Sequence, residues 1–433
     1  MVMRKFVIIN SEVINMTDVK LGPLIKLYRK KLQLTQDELS IGICTTSYLS
    51  RIENDLVIPE TQVLKLLLKR LGQEEQQLLT QYNEKIQTFE KIYSKLLDDQ
   101  PLSNDDITIV KEEQNLLLAT FQQLIYARYL MKENRLEEAA LIIEPIIQTF
   151  KMEHNRLTEL FISISTYYYL IVGDYSRILD LEQSLHLNQY FLSKHDYEQA
   201  IYYYHLSFAA HRDYQFSLAL NYIEETSRRF THKYRPLFEL KLYSMYGVIY
   251  NALYRFDDSL KEYDAAIELL HLVPSIATND QWASLLNNRA YCYECMTKYD
   301  LAIKYYEQSI HYKEDLHVII NYMRVLVLAN RLEEVKELQK NYPISMFTIT
   351  HHQNQWSLIY ALANVEEISL ETFQKMEEQA FKSIIKEKHI ELIIRYSKAV
   401  AEVYSALHNY KKAMLIYKKA FETSQELLSY GKE

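Results

Sequence analysis

From about Thr120 to the C-terminus one phrase keeps returning: a bulky residue, two polar residues, a small or apolar residue, then amphipathic helical text. It reads "RLEEAALIIEPI" from Arg135, "RFDDSLKEYDAAI" from Arg255, "KYDLAIKYYEQSI" from Lys298 and "NYKKAMLIYKKAF" from Asn409. The small residue of each unit has a companion twelve positions earlier: Ala127, Thr166, Ser207, Gly247, Ala290, Met323, Ala361 and Ala401, at successive intervals of 39, 41, 40, 43, 33, 38 and 40. A period near forty holding two helices rules out a single closed core. Each helical pair can bury its apolar face only on its neighbours, which makes a helical solenoid. Six Gly and seven Pro in 433 residues leave too few turns for a β architecture, and 48% hydrophobic with 24% charged residues is the balance of a folded chain. The fold class is all-α.

Three cysteines, Cys44, Cys292 and Cys295, are too few for a disulfide framework and point to a reducing, cytoplasmic setting. "MVMRKFVIIN" carries only a brief apolar run, Phe6 to Ile9, with no cleavage site after it, so it reads as a loose tail and not as an export signal. No apolar run approaches the roughly 18 residues of a membrane span. Charge is uneven along the chain. Lys20 to Gly72 holds nine Lys or Arg against five Asp or Glu, whereas the whole chain carries −8, so a basic head precedes an acidic body. That asymmetry suits a small nucleic-acid-binding module on a larger partner-binding domain.

In the head, Leu21, Leu24, Ile25, Tyr28 and Leu32 fall at helical spacing, with Lys26, Arg29, Lys30 and Lys31 around them. Thr35 followed by Glu38 is a capping box that starts a second helix at Gln36. Gly42 supplies the turn and Thr45 caps a third helix whose Leu49 and Ile52 face inward. The outward residues are Thr46, Ser47, Ser50 and Arg51, with Tyr48 beside them. Two short helices joined by a tight turn form the geometry that lays a helix in the major groove. Arg51 can grip guanine with two bonds, the hydroxyls can reach bases or phosphates, and Gln36 at a helix start suits a phosphate. Promoter double-stranded DNA is the expected partner.

The run "LIKLYRKKLQLTQDELSIGICTTSYLSRIENDLVIPETQVLKLLLKRLG" resembles the Cro/repressor-type helix-turn-helix, through "LTQDEL", "SRIEN" and the following "P…LLKRLG". The resemblance implies that Arg29 pairs with Glu53 as a structural, partly buried ion pair. From Gln36 to Glu53 the chain is one residue shorter than most members. This short turn, with "IC" before the third helix and "SRIE" within it, resembles the peptide-pheromone regulators of low-GC Gram-positive bacteria, which carry a tetratricopeptide body behind such a head. The body agrees with that pattern best at Leu240 to Pro274, where Gly247, Tyr250, Tyr263 and Ala266 occupy the small and aromatic positions. The implied layout is a tail (1–19), a helix-turn-helix domain (20–72), a helical linker (73–119) broken at Gln100 to Asp106, and a right-handed tetratricopeptide-type helical solenoid (120–433) for peptide binding and dimerisation.

In the repeat register the concave wall would carry Tyr204, His211, Lys241, Ser244, Asn251, Asn287, Tyr291, Glu294 and Arg324, suited to an extended peptide. Asn251 and Asn287 could hold a peptide backbone by donating and accepting at once. The acidic body and its many tyrosines suggest a cationic or aromatic peptide. The layout looks most like the neutral-protease-regulator branch, which implies a homodimeric quorum-sensing transcription regulator responding to a short imported signalling peptide. Two alternatives share the layout: a repeat scaffold that sequesters a phosphorelay response regulator with DNA binding secondary, and a phage lysis–lysogeny peptide receptor. Other chemistry finds little support. "CYEC" at Cys292 to Cys295 lacks a second ligand pair for zinc, His351 and His352 read as a loop after Pro343 with no carboxylate at hand, and no phosphate-cradling loop or nucleophile elbow occurs. We therefore expect no enzyme, no cofactor and no metal.

Overall fold

The computed structural model describes residues 22–54, 56–112, 118–191, 196–230 and 234–430, which are helical and contain no strand. The expected tail lies outside the described residues, as do Lys20 and Leu21. Contacts divide the chain into two compact units, 1–172 with 187–195, and 173–186 with 196–433. The first holds α1 (Gly22–Lys31), α2 (Gln36–Ser40), α3 (Thr46–Glu53), α4 (Thr61–Arg70), α5 (Glu75–Leu97), α6 (Asn104–Glu112), α7 (Ala119–Lys132), α8 (Leu136–Thr149) and α9 (Arg156–Val172). The second holds α10 (Tyr175–Leu185), α11 (Asp196–Arg212), α12 (Phe216–Arg229), α13 (Pro236–Ala252), α14 (Phe256–Leu272), α15 (Asn279–Cys295), α16 (Tyr299–Tyr312), α17 (Leu316–Leu328), α18 (Leu332–Asn341), α19 (Thr350–Ala363), α20 (Leu370–Lys386), α21 (Glu391–Ala406) and α22 (Tyr410–Tyr430).

In the first unit, α1 to α4 close around Ile25, Leu39, Leu49, Ile52, Leu67 and Leu68, all nearly or wholly buried. Leu32 was expected inside, but α1 stops at Lys31 and Gln33 turns to a φ of 55°, leaving Leu32 half exposed. The stretch between head and repeats is no free connector. Phe89 and Tyr93 of α5 are buried, Phe89 stacks on Phe121 of α7, and Tyr93 donates to Ser163 of α9 at 2.8 Å. The expected break at Gln100 to Asp106 is shorter than its composition suggests. Ser103 and Asp106 cap each other's backbone N–H, so α6 already begins at Asn104.

In the second unit, consecutive helices from α11 to α22 pair as antiparallel hairpins and each hairpin packs on the next. Of the eight small residues that mark the period, seven have 0% exposure and Gly247 is buried too, because the two helices of a hairpin meet there. Ser207 Oγ bonds the Ala219 carbonyl and Ser259 Oγ the Gly247 carbonyl, at 2.8 and 2.7 Å. A Cβ on Gly247 would stand 2.7 Å from Cζ of the buried Tyr263 ring. Gly247→Ala should therefore destabilise this unit by about 1–3 kcal/mol, read as a lower urea midpoint; an unchanged midpoint would mean the ring moves aside freely.

Seven positions after those small residues the chain turns through left-handed backbone at Asn134, Gly173, Tyr214, Tyr254, Thr297, Asn330 and His408. The turn after Ala361 alone departs, through Asn364 to Ser369. The second unit also closes on itself. Lys388 Nζ reaches Asp213 Oδ1 at 2.7 Å, Tyr214 donates to Glu391 at 3.3 Å, and Ile390 N donates to the Tyr214 hydroxyl at 3.0 Å. The α11–α12 turn thus meets the α20–α21 turn, and the first helices of the hairpins, from α11 to α21, contact one another along the inner wall of this closure.

Candidate functional site

The head presents one helix outward. Thr35 and Glu38 complete the capping box on α2, Gly42 takes a φ of 71°, and Ile43 and Cys44 both bond the Ser40 carbonyl, which absorbs the short turn. Thr45 accepts from Tyr48 N and starts α3. Ser47 and Arg51, one turn apart, are exposed; Ser50 is half-buried, its carbonyl accepting from the Asn54 side chain at 2.8 Å. Two other members of the outward set are engaged within the head. The Thr46 hydroxyl donates to Asp37, and Gln36 Nε2 donates to Glu53 at 2.8 Å. Tyr48 lies partly against the core.

Arg29 meets Glu53 with two bonds, 2.5 and 2.8 Å, and gives a third to the Leu34 carbonyl. Burial would push the Glu53 carboxyl up, but the bonds from Arg29 and Gln36 outweigh it and hold the group below the usual carboxylate range. Since Glu53 ends α3 and Arg29 sits on α1, this pair fixes the outward helix on its support.

In the second unit the nine residues expected on the concave wall all fall on α11, α13, α15 or α17. Four of them form a connected system. Arg324 and Glu294, 1% and 0% exposed, are bonded along one guanidinium edge, Nε and Nη2 each donating to one carboxylate oxygen at 2.8 and 2.9 Å. Tyr306 donates to the same carboxylate at 2.9 Å, Arg324 also donates to Asn321, Asn321 to Asn287 at 3.2 Å, and the guanidinium lies near the Tyr291 ring. Arg324 and Glu294 thus occupy the core. Asn251 is 8% exposed and touches Cys295. Tyr204 packs on Phe238 and His211 on Phe216; burial pushes Tyr204 up to about 12 and His211 down to about 4, so both are neutral near pH 7. Lys241 is exposed and Ser244 half-buried, apart from this system.

Several lining residues escaped the sequence reading. His351 and His352 are not in a loop, because α19 starts at Thr350 after a short turn at Ile344–Met346. His352 contacts His317 at 3.2 Å, His317 contacts Asn321 at 3.4 Å, and the His351 ring stacks on His389. Burial lowers His317 and His351 to about 4. Arg395 of α21 reaches the Cys295 carbonyl. The repeat register itself pointed to α17 and α19 as lining helices, which is the signal that could have found His317, Asn321 and His352. Cys292 is buried and Cys295 half-buried, with burial raising both thiols, Cys295 to about 11, which is the opposite of an activated pair. Among the described residues no group of three or more His, Cys, Asp or Glu could hold a metal ion, and no helix is long and apolar enough to cross a membrane.

The family model described as Helix-turn-helix matches residues 25–78. The transcriptional activator NprA of Geobacillus stearothermophilus is 23% identical over 445 residues, covering 90% of this chain and 99% of that protein. Among solved structures, a Rap protein complexed with competence and sporulation factor superposes with a TM-score of 0.64 at 12% identity, over 80% of this chain and 99% of its own. NprR in complex with its cognate peptide NprX gives 0.56 at 16%, over 79% and 98%. Head and body together define the class by its architecture: a helix-turn-helix domain followed by a tetratricopeptide-type helical solenoid. The likeness to NprA extends over most of both chains, whereas the helix-turn-helix model accounts for the head alone.

Proposed function

We propose that this protein is a quorum-sensing transcription regulator that binds promoter DNA through residues 20–72 and a short signalling peptide within residues 120–433. The observation that carries the reading is the outward α3, with Ser47 and Arg51 exposed one turn apart on a helix pinned by Arg29–Glu53. Ser47, Ser50 and Arg51 are free to meet DNA, whereas Gln36, Thr46 and Tyr48 hold the surface in shape. The inner wall, with Asn251, Asn287 and Tyr291, receives the peptide; Arg324 and Glu294 support that wall from behind.

Operators for such a head are paired half-sites, so a homodimer is part of the proposal. On α22 the residues Tyr410, Met414, Tyr417 and Phe421 recur at helical spacing and are 50–65% exposed, an apolar stripe of the kind that marks an interaction surface. A second copy of the chain covers this stripe. Peptide binding then alters the spacing of the two heads by favouring one state of the solenoid, and its leverage is limited to its differential affinity for the two states.

The test is fluorescence anisotropy of the full chain on DNA from its own promoter, with the mass of the complex read by light scattering. Arg51→Ala should weaken binding by about 1–3 kcal/mol and the complex should contain two chains. Unaltered binding in the variant would remove DNA reading by α3. The similarity of the body to a Rap protein supports the scaffold alternative as well. Capture of a response regulator by the full chain, undiminished in Arg51→Ala, would favour that alternative.

A further inference from the structure

Two buried polar atoms on the inner wall of the second unit have no partner: Asn251 Oδ1 and Arg395 Nε. They belong to side chains from well-separated helices, α13 and α21, that converge on one residue of α15. Asn251 Nδ2 lies 3.7 Å from Cys295 Sγ, and Arg395 Nη1 lies 3.4 Å from the Cys295 carbonyl oxygen. Arg395 is half-buried, but its guanidinium keeps its charge at any physiological pH, and a charge whose Nε is shut off from solvent calls for an anion.

None of the neighbours supplies one. Glu294 is committed to Arg324 through both oxygens. Glu391, one turn before Arg395, is held by Tyr214 and His389. Burial raises the Cys295 thiol to about 11 and pushes the Tyr254 and Tyr291 hydroxyls up as well, so all three are neutral near pH 7. Only the carbonyl end of α15 faces the charge, a partial compensation.

We propose that Arg395 and Asn251 form a subsite for a carboxylate of the peptide that binds along this wall. Arg395 donates to the carboxylate oxygens, and Asn251 Oδ1 accepts an adjacent peptide N–H. The inference rests on the peptide-receptor reading above and adds to it the chemistry of the ligand: one acidic group must reach the inner wall, although the body as a whole is acidic. The carboxylate is either the peptide's C-terminus or an Asp or Glu side chain.

The experiment offers the full-length protein three pools of short synthetic peptides of mixed sequence, with retained peptides quantified by mass spectrometry. The first pool has a free C-terminus and lacks Asp and Glu. The second is C-terminally amidated and carries one Asp or Glu, and the third is amidated and acid-free. The wild-type protein should retain members of the first or the second pool, which identifies the source of the carboxylate, and little of the third. Arg395→Gln should hold those same members at least about tenfold less tightly, and Arg395→Lys should fall between. Comparable wild-type retention of the acid-free pool, or unchanged retention in Arg395→Gln, would overturn the subsite while leaving the receptor reading intact. Failure of the wild type to retain any pool would instead remove the receptor reading and the subsite with it. If Arg395→Gln loses its helical signal, the three-pool comparison in the wild type and the Arg395→Lys affinity decide.

Discussion

Arg324→Ala should lower the unfolding free energy of the second unit by about 3–5 kcal/mol, the largest effect expected of a single substitution in the repeats. Glu294 has no exposure and takes two of its bonds from this guanidinium, with Tyr306 giving another. Removing Arg324 strands a carboxylate that water cannot reach and also frees Asn321 from its partner. Replacing the pair together, Arg324→Met with Glu294→Leu, should recover most of the loss, because two apolar residues of similar size leave no stranded charge. Urea denaturation followed by circular dichroism reads both. A shift below about 1 kcal/mol for Arg324→Ala, within the range of ordinary surface substitutions, would mean that the side chain works at the surface of the inner wall and not in the core.

Glu53→Ala should do in the head what Arg324→Ala does in the repeats, with a functional consequence. Arg29 loses two bonds and Gln36 its acceptor, so a largely buried cation and an amide are left without partners at the base of α3. A cost of about 3–5 kcal/mol is a large share of what so small a core can supply. Promoter binding should disappear while thermal melting of the repeats stays where it was. A variant that still bound DNA at near wild-type affinity would show that the pair is dispensable for positioning the helix.

These two ion pairs show how far the chain could be read from its letters. Thr35 with Glu38, and Thr45 with the helix after it, are local, and a cap needs only neighbours in sequence to be recognised. The period of small residues was legible for the same reason, since every hairpin repeats one close approach. Arg324 and Glu294 were placed on the concave wall because the register gives the direction of a side chain but not whether another side chain already meets it there. Their separation of 30 positions hides the pairing. His351 and His352 were lost to Pro343, whose disruption ends before Thr350. The left-handed turns left almost no trace, for only Gly173 among them is a glycine; Tyr, Thr, His and Asn hold the others because hairpin packing fixes the backbone.

The contact between the α11–α12 and α20–α21 turns alters how the second unit should come apart. In an open stack of hairpins stability is a sum over nearest neighbours, and either end can peel away one repeat at a time. Here residues 175 positions apart are bonded, Asp213 to Lys388, so a hairpin near one end cannot leave without breaking a contact with the other. Such a ring lends its interior repeats protection that stacking on their neighbours alone does not provide. It also carries a kinetic cost: a contact of that span forms only after the hairpins between have stacked, which places closure among the last events of folding.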